Sequence, residues 1–400
     1  MQRRDFLRTG AMTALASQRV LGANDRIAVA LIGCGGRGRG VTSYIPKIGG
    51  AEVRGVSDVY IPRREQAAEQ FGPTAKAFTD YRKVLDSKDI DAVVIGAPDH
   101  WHTPMTIEAV AAGKDVYVEK PVTHELSEGD KLVKAVEGSG QIVATGTQQR
   151  SWKHFLEAKQ LIDQGELGKI TFVRCYWSQN YSMFRSRLKD DIDLNRLDWD
   201  QWLGSAPKQP FDKTRFRFWR FFWDFGGGSI TDLMTHWIDV IQWFMESPRP
   251  QLVQAAGATY THDWLEAPDT VTATMLFPEG YTATYEGNMT FGLLGGGIVF
   301  RGDKAMMSLT RLGYDVYQED AKPFEATSLP KPTAHFARSE EGTILERVDG
   351  NGTLDNVRNW LECIRSRKTP NAHIRAGVES AATSHWANKA MREKKVITLS

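Results

Sequence analysis

The feature that most restricts how this 400-residue chain can fold lies near its start, where an unbroken apolar run opens into a glycine cluster. Ile27-Ala28-Val29-Ala30-Leu31-Ile32 has the length and continuity of a strand buried on both faces. It leads directly into Gly33-Cys34-Gly35-Gly36-Arg37-Gly38, a Gly-x-Gly-x-x-Gly turn. In a strand-turn-helix setting the glycines have separate tasks. Gly33 permits the tight turn, Gly35 lets the backbone approach a pyrophosphate, and Gly38 allows a helix to pack closely on the strand. Cys34, Gly36 and Arg37 complete the turn, and the following helix aims its free N–H groups at the anion. Arg37 reads equally as a phosphate contact or as a solvated charge at the helix start. The next apolar run, Glu52 to Ser57, ends on Asp58, about 20 residues beyond the last glycine, where a carboxylate accepts ribose hydroxyls. A carboxylate there repels a 2'-phosphate, so NAD is the expected cofactor, and Arg63 and Arg64 keep NADP as the less favoured one.

Helix and strand patterns then alternate: Arg63 to Gln70, Tyr81 to Ser87, Ala92 to Ile95, Met105 to Ala112, and Asp115 to Val118. Units of this length imply a parallel sheet with helices on both faces, whose ligands sit beyond the carboxyl ends of the strands. Two such ends carry chemistry. Ala97-Pro98-Asp99-His100-Trp101-His102 and Glu119-Lys120-Pro121 are both expected to face the cofactor crevice, with Pro98, His100, His102, Glu119, Lys120 and the later Gln148 as contact residues. His100 and His102 read equally as turn or cap residues, and without a third ligand they make no metal site.

The bulk composition excludes several partners. A net charge of +1 with 41% apolar and 25% charged residues shows no bias toward nucleic acid or an anionic membrane. Cys34, Cys175 and Cys363 lie far apart, as buried free thiols do, so no metal cluster or disulfide framework is expected. At the amino terminus, Arg3-Arg4-Asp5-Phe6-Leu7-Arg8 matches the twin-arginine export pattern, followed by Thr9 to Ala16, too short to span a bilayer. Cleavage is expected near Gly22-Ala23 or after Ala14-Leu15-Ala16, and a disordered basic tail is the other reading. The expected organisation is a twin-arginine signal at 1–25, a dinucleotide domain at 26–150 and a second domain at 151–400.

Taken together, Gly33 to Gly38, Pro98 to His102, Glu119-Lys120-Pro121 and the stretch Gly226 to Asp239 resemble the Gfo/Idh/MocA family of nicotinamide-dependent sugar and cyclitol oxidoreductases. The resemblance implies an α/β chain: a doubly wound Rossmann sheet, then an α+β domain with a large open, mostly antiparallel sheet that roofs the nicotinamide. It also implies a homodimer or homotetramer and a carbohydrate or glycoside substrate. The residues of the second half agree in outline. Strand-like segments recur at Ile170 to Ser178, Leu252 to Thr259, Thr270 to Phe277, Thr282 to Asn288, Gly297 to Gly302 and Met306 to Thr310. Ser229 to Met245 reads as a helix with Ser229 as its cap and with Asp232 and His236 on one face. Leu354 to Ile364 and Ala376 to Met391 read as helices, and Lys395 to Leu399 as a final strand.

Oxidation of a secondary alcohol needs a base for the hydroxyl proton and a clamp on the oxygen. His236 has the pKa range of a base, Lys120 can donate to the alcohol oxygen, and Asp232 can orient sugar hydroxyls or the histidine; the resemblance puts matching residues in these roles. Ten aromatic residues between Trp199 and Phe225 suit either stacking on sugar rings or, more often, cementing an interface. Export would leave the enzyme without a dinucleotide pool. It therefore favours a cofactor kept between cycles, with transfer between sugars or glycoside cleavage by transient oxidation at C3 as redox-neutral outcomes. The signal and the Thr235-His236 pair resemble the NAD-dependent N-acetylgalactosaminidases of this superfamily, but Trp237-Ile238-Asp239 departs from them toward the ordinary dehydrogenase pattern. A non-catalytic NAD-binding sensor is the third class.

Overall fold

The structure, a computed structural model, describes residues 26–293, 295–318, 334–337 and 344–399. The twin-arginine segment lies outside the described residues. β1 (Ile27–Ile32), β2 (Ala51–Ser57), β3 (Lys76–Phe78), β4 (Ala92–Ile95), β5 (Asp115–Val118) and β6 (Val143–Thr145) form a parallel sheet in the order β3-β2-β1-β4-β5-β6. Every residue of β1, β4 and β5 is buried, as strands covered by helices on both faces must be. The strand order reverses between β1 and β4, and this is the switch point at which a doubly wound sheet opens a ligand crevice.

A second sheet holds nine strands among the described residues. They are β7 (Phe172–Ser178), β8 (Leu252–Ala258), β9 (Thr270–Phe277), β10 (Tyr281–Asn288), β11 (Gly296–Arg301), β12 (Ala305–Thr310), β13 (Gly313–Gln318), β14 (Ala334–Ala337) and β15 (Ile397–Thr398). Their order is β14-β13-β12-β11-β7-β10-β9-β8-β15, antiparallel throughout except where β10 runs parallel to β7. β13 and β14 go beyond the strand-like segments legible in the sequence. In β9 and β10 buried and half-exposed residues alternate, so one face carries the core and the other faces outward. The Thr235–Phe244 helix lays Trp237, Ile238, Ile241 and Phe244 on that core face against Val173, Val253 and Phe300. Each side chain buried in full there contributes about 1.5–3 kcal/mol of apolar transfer.

The two packing units are not contiguous in sequence. From the Ile344–Ser366 helix, Val357, Trp360, Leu361 and Ile364 enter the core of the first sheet beside Val29, Leu31 and Tyr117. The Ile374–Glu393 helix spans both units, with Ile374 in the first core and Ala387 and Met391 in the second.

Between β7 and Gly228 the chain forms an insert of short helices, including Trp199–Leu203 and Lys213–Phe218. Asp198 and Asp212 cap these two by accepting the N–H groups of Gln201 and Arg215. The aromatic stretch acts here as cement within the chain. Trp202, Phe216, Phe218, Phe221, Phe222 and Phe225 are buried in one cluster that includes Tyr60 of the first unit. The Trp202 carbonyl accepts hydrogen bonds from Trp101 Nε1 at 2.9 Å and His100 Nε2 at 3.2 Å, and Asp198 N–H donates to Val59 O at 3.1 Å. The insert is therefore bolted over the crevice of the first sheet.

Candidate active site

A crevice of about 410 Å³ is lined by Gly33, Gly35, Gly36, Arg37, Asp58 and Pro98 on the first unit, and by Arg187, Trp202, Arg217 and Arg220 on the insert. The glycines divide by task. A Cβ on Gly35 or Gly36 would meet nothing within 4 Å, whereas one on Gly33 would strike Ala97 N at 2.6 Å and one on Gly38 would strike Gly33 O at 2.3 Å. Gly33 also holds φ +86°, which side chains rarely adopt. Gly35 and Gly36 thus front the open crevice, and Gly33 and Gly38 permit the packing behind it.

Asp58 closes one end. Its Oδ2 accepts the Cys34 N–H at 2.8 Å and its Oδ1 the Tyr60 N–H at 2.8 Å, so each oxygen keeps a lone pair for a ligand hydroxyl. Burial pushes this carboxyl up, against the pull of Arg63 and of the two amides. Cys34 contributes that amide, while its thiol turns inward to Ser57 O. The Arg63 guanidinium lies over the Phe216 ring, 4.6 Å from its centroid. Cradle, carboxylate and open backbone together fit a nicotinamide dinucleotide. The variant Asp58→Asn is expected to lose NAD affinity by about 10- to 100-fold, one charged hydrogen bond, and to gain in relative affinity for NADP. Titration of nucleotide-free protein with both cofactors measures the ratio, and an unchanged preference would remove Asp58 from cofactor choice.

The motif from Pro98 to His102 is not a loop facing the crevice as a whole. A helix, Asp99–Ala111, begins inside it, with Pro98 as the N-cap residue. Helical spacing sends successive side chains apart. Pro98 and Trp101 line the dinucleotide crevice and Asp99 and His102 an adjoining cavity, whereas His100 lines neither. His100 is buried between Trp202 and Phe225 as part of the joint to the insert, and burial lowers its pKa to about 3. The His102 ring lies between the two strand ends, Nδ1 2.6 Å from the Pro121 carbonyl and Nε2 2.9 Å from the Ala97 carbonyl, and as a neutral imidazole it donates to one of them.

The adjoining cavity, about 310 Å³, is lined by Lys120, Asp232, His236, Gln148, Glu119 and Asp99, among others, and shares Arg37, Gly96 and Ala97 with the crevice. Lys120 Nζ donates to Asp232 Oδ1 at 2.6 Å and to the Asp232 carbonyl at 2.6 Å, and Arg220 Nε donates to the same Oδ1 at 3.2 Å. Burial alone would raise the Asp232 carboxyl, but the two cations hold it below the usual carboxylate range. Asp232 therefore orients the lysine, and no hydrogen bond joins it to His236 among those described.

The helix expected from Ser229 starts differently. Ser229 already has helical angles and makes no side-chain cap, and Ile230–Met234 forms a π-helical turn before the regular helix begins at Thr235. Such a turn widens the local backbone and recurs at functional sites. His236 lies stacked on Trp177 with ring centroids 5.7 Å apart, and its buried Nδ1 has no partner among the described residues. Burial, then Lys120 and Arg311, push its pKa well below the ordinary histidine value, so at neutral pH the imidazole is unprotonated. Gln148 Oε1 is likewise buried and without a partner at the cavity wall. Glu119 binds Arg37 through Oε1 at 2.9 Å, which makes Arg37 a paired charge at the junction of the two cavities.

Three residues were missed by the sequence reading. Asp99 sits within the quoted motif, and burial raises its carboxyl well above the usual range against the opposing Arg220 and Lys120. Tyr181 and Arg220 come from the insert, where no spacing or motif marks them; both line the cavity with Asp232, and burial, then the Asp232 charge, push the Tyr181 phenol up. Arg150, two residues beyond Gln148, is a buried and paired cation. Its Nε donates to both oxygens of the fully buried Asp239, at 2.8 and 3.0 Å.

Residues 27–147 match the family model described as an oxidoreductase family with an NAD-binding Rossmann fold, and residues 155–308 match the GFO/IDH/MocA C-terminal domain. The chain belongs to the Gfo/Idh/MocA family and carries its NAD-binding domain. It is 34% identical over 132 residues to scyllo-inositol 2-dehydrogenase (NAD(+)) of Bacillus subtilis, covering 33% of this chain and 38% of that protein. It is 34% identical over 141 residues to glycosyl hydrolase family 109 protein 2 of Shewanella sp. (strain ANA-3), covering 32% of this chain and 31% of that one. The chain thus spans about a third of the length of the curated relatives it matches. In fold it is similar to scyllo-inositol dehydrogenase from Lactobacillus casei, solved with NAD(H) and scyllo-inositol, at a TM-score of 0.71 and 19% identity over 94% of this chain and 99% of that one.

Proposed function

We propose that this chain is an NAD-dependent oxidoreductase acting on a secondary hydroxyl of a sugar, cyclitol or glycoside, and that it keeps its dinucleotide from one turnover to the next. The observation that carries the reading is the meeting of Lys120 and His236 at one cavity that opens onto the dinucleotide crevice. Bound NAD would supply the acceptor and donor for the carbinol hydride. Lys120, held by Asp232, donates a hydrogen bond to the alcohol oxygen and steadies the charge that develops there. His236, kept neutral by its surroundings, takes the hydroxyl proton and returns it on the way back. Gln148 Oε1 accepts from a neighbouring donor of the ligand.

A second reading is redox-neutral glycoside cleavage by transient oxidation at C3, elimination, water addition and reduction. The glycosidase-family relative supports it, and so does Asp99, a carboxyl in the same cavity whose burial raises it well above the usual carboxylate range and so favours proton donation to a departing aglycone. The twin-arginine segment supports export, and export supports a retained cofactor. Assembly as a homodimer or homotetramer is part of the proposal.

The test is a count of turnovers by purified protein without added cofactor, across free sugars, cyclitols and aryl glycosides. Many products per chain are expected. Released aglycone would replace the first reading by the second, and one reduced equivalent followed by silence would overturn cofactor recycling. Protein that neither carries nor binds a nicotinamide nucleotide would sink both readings.

A further inference from the structure

The insert turns cations as well as rings toward the crevice. Arg187 and Arg217 line both the dinucleotide crevice and the substrate cavity, so they stand where the two meet. Arg63, on the first unit, lies close enough to Arg217 for the guanidiniums to repel, and Arg187 adds to that repulsion. The carboxylate facing Arg217, that of Asp190, is 4.0 Å away on a side chain 68% exposed, too solvated to offset much charge. Arg217 Nε is buried and has no hydrogen-bond partner among the described residues. Arg63 has the Asp58 carboxylate beside it, but Arg217, with its Nε unpartnered among the described residues, and Arg187 leave a positive patch on the crevice that an anion would relieve.

The opposite wall names the anion. Gly35 and Gly36 present open backbone to this crevice, which Asp58 also lines, and Lys120 and His236 line the adjoining cavity. A dinucleotide whose ribose meets Asp58 and whose nicotinamide reaches Lys120 must carry its two phosphates across the span between them. We propose that Arg217, assisted by Arg187, closes on the pyrophosphate from the side opposite the Gly33–Gly38 turn, so that the insert is a clamp that holds the dinucleotide in the protein. The clamp rests on the proposed reading of a retained cofactor and gives that retention a cause. Release requires the insert to lift, and lifting breaks the Trp202 carbonyl bonds to Trp101 and His100 and parts the edge-to-face contact of Phe216 with Tyr60, whose rings lie 5.7 Å apart. A planar two-pronged cation suits a phosphate pair better than a point charge does.

The experiment measures nucleotide content and exchange in the full-length protein. Purified wild-type chain is denatured and its released nucleotide counted, and bound NAD is chased with isotopically labelled NAD. Wild type is expected to carry close to one nucleotide per chain and to exchange it slowly. R217M is expected to exchange about 10- to 100-fold faster, the loss of one charged hydrogen bond. R215M, on the same short helix but paired with Asp224 and Glu266 away from the crevice, is expected to exchange like wild type. R217K, which keeps the charge and loses the fork, is expected between the two and serves if R217M fails to fold. Exchange as slow in R217M and R217K as in wild type overturns the clamp while leaving cofactor retention standing. Wild-type protein that carries no nucleotide and exchanges added NAD freely overturns retention itself. Unchanged exchange with a raised KM confined to sugars bearing carboxylate or sulfate also overturns the clamp, by giving the guanidinium to the substrate.

Discussion

Replacing Lys120 with Ala is expected to reduce turnover by about 10³-fold while leaving the fold and bound dinucleotide in place. The buried Asp232 carboxylate bonds both Lys120 and Arg220, so loss of the lysine leaves it one cation at 3.2 Å rather than none. A second consequence is specific to the arrangement. His236 is held neutral first by burial and next by the charge of Lys120. Removing that charge favours the imidazolium, so the histidine pKa rises. The acid limb of kcat/KM in the residual activity is expected to move to higher pH than in wild type. The measurements are kcat at saturating substrate, the pH profile and nucleotide per chain. Turnover within tenfold of wild type would remove Lys120 from the chemistry, and an unmoved acid limb would separate it from His236.

Arg150→Met is expected to cost about 3–5 kcal/mol of stability at neutral pH, because it leaves a fully buried carboxylate without its cation. For a chain of 400 residues that lowers the Tm by about 4–6 °C. The loss has a defined pH dependence. Burial already raises the folded-state pKa of Asp239, and Arg150 opposes that rise, so the variant raises it further. A carboxyl whose folded pKa lies above its unfolded one favours the folded state while it is protonated, and that contribution is lost as pH rises through the folded value. The deficit relative to wild type is therefore expected to be smaller at low pH than at high pH. Thermal unfolding across that range measures it, and Arg150→Met combined with Asp239→Asn is expected to recover part of the loss. A deficit independent of pH would place the effect in lost packing over Trp243 rather than in the buried charge.

The nucleotide side of the site was legible because its chemistry is local. A buried strand, a glycine turn and a carboxylate at the next strand end follow from short stretches whose geometry the residues impose themselves. Lys120, Asp232 and His236 were legible as a motif, and their roles relative to one another were not. Only the folded chain brings Arg220 from the insert against Asp232, and the resulting ion pairs turn Asp232 toward the lysine and leave the histidine Nδ1 without a partner among the described residues. His100 illustrates the opposite error. Its position two residues from His102 suggested a shared task, yet a helix that starts at Asp99 separates their directions and gives His100 to the joint with the insert.

By itself, then, the sequence determined the doubly wound first unit, the second sheet in outline and the dinucleotide cradle, because each is written in periodicity and spacing over fewer than about a dozen residues at a time, while the family came from resemblance. Tertiary structure alone decided that the Ile344–Ser366 helix completes the first core, that the aromatic stretch fastens an insert over the crevice, and that arginines of that insert face the cradle. These depend on contacts between residues far apart in the chain. Such contacts form when distant apolar surfaces find each other and leave water, and no local pattern records which surfaces will meet.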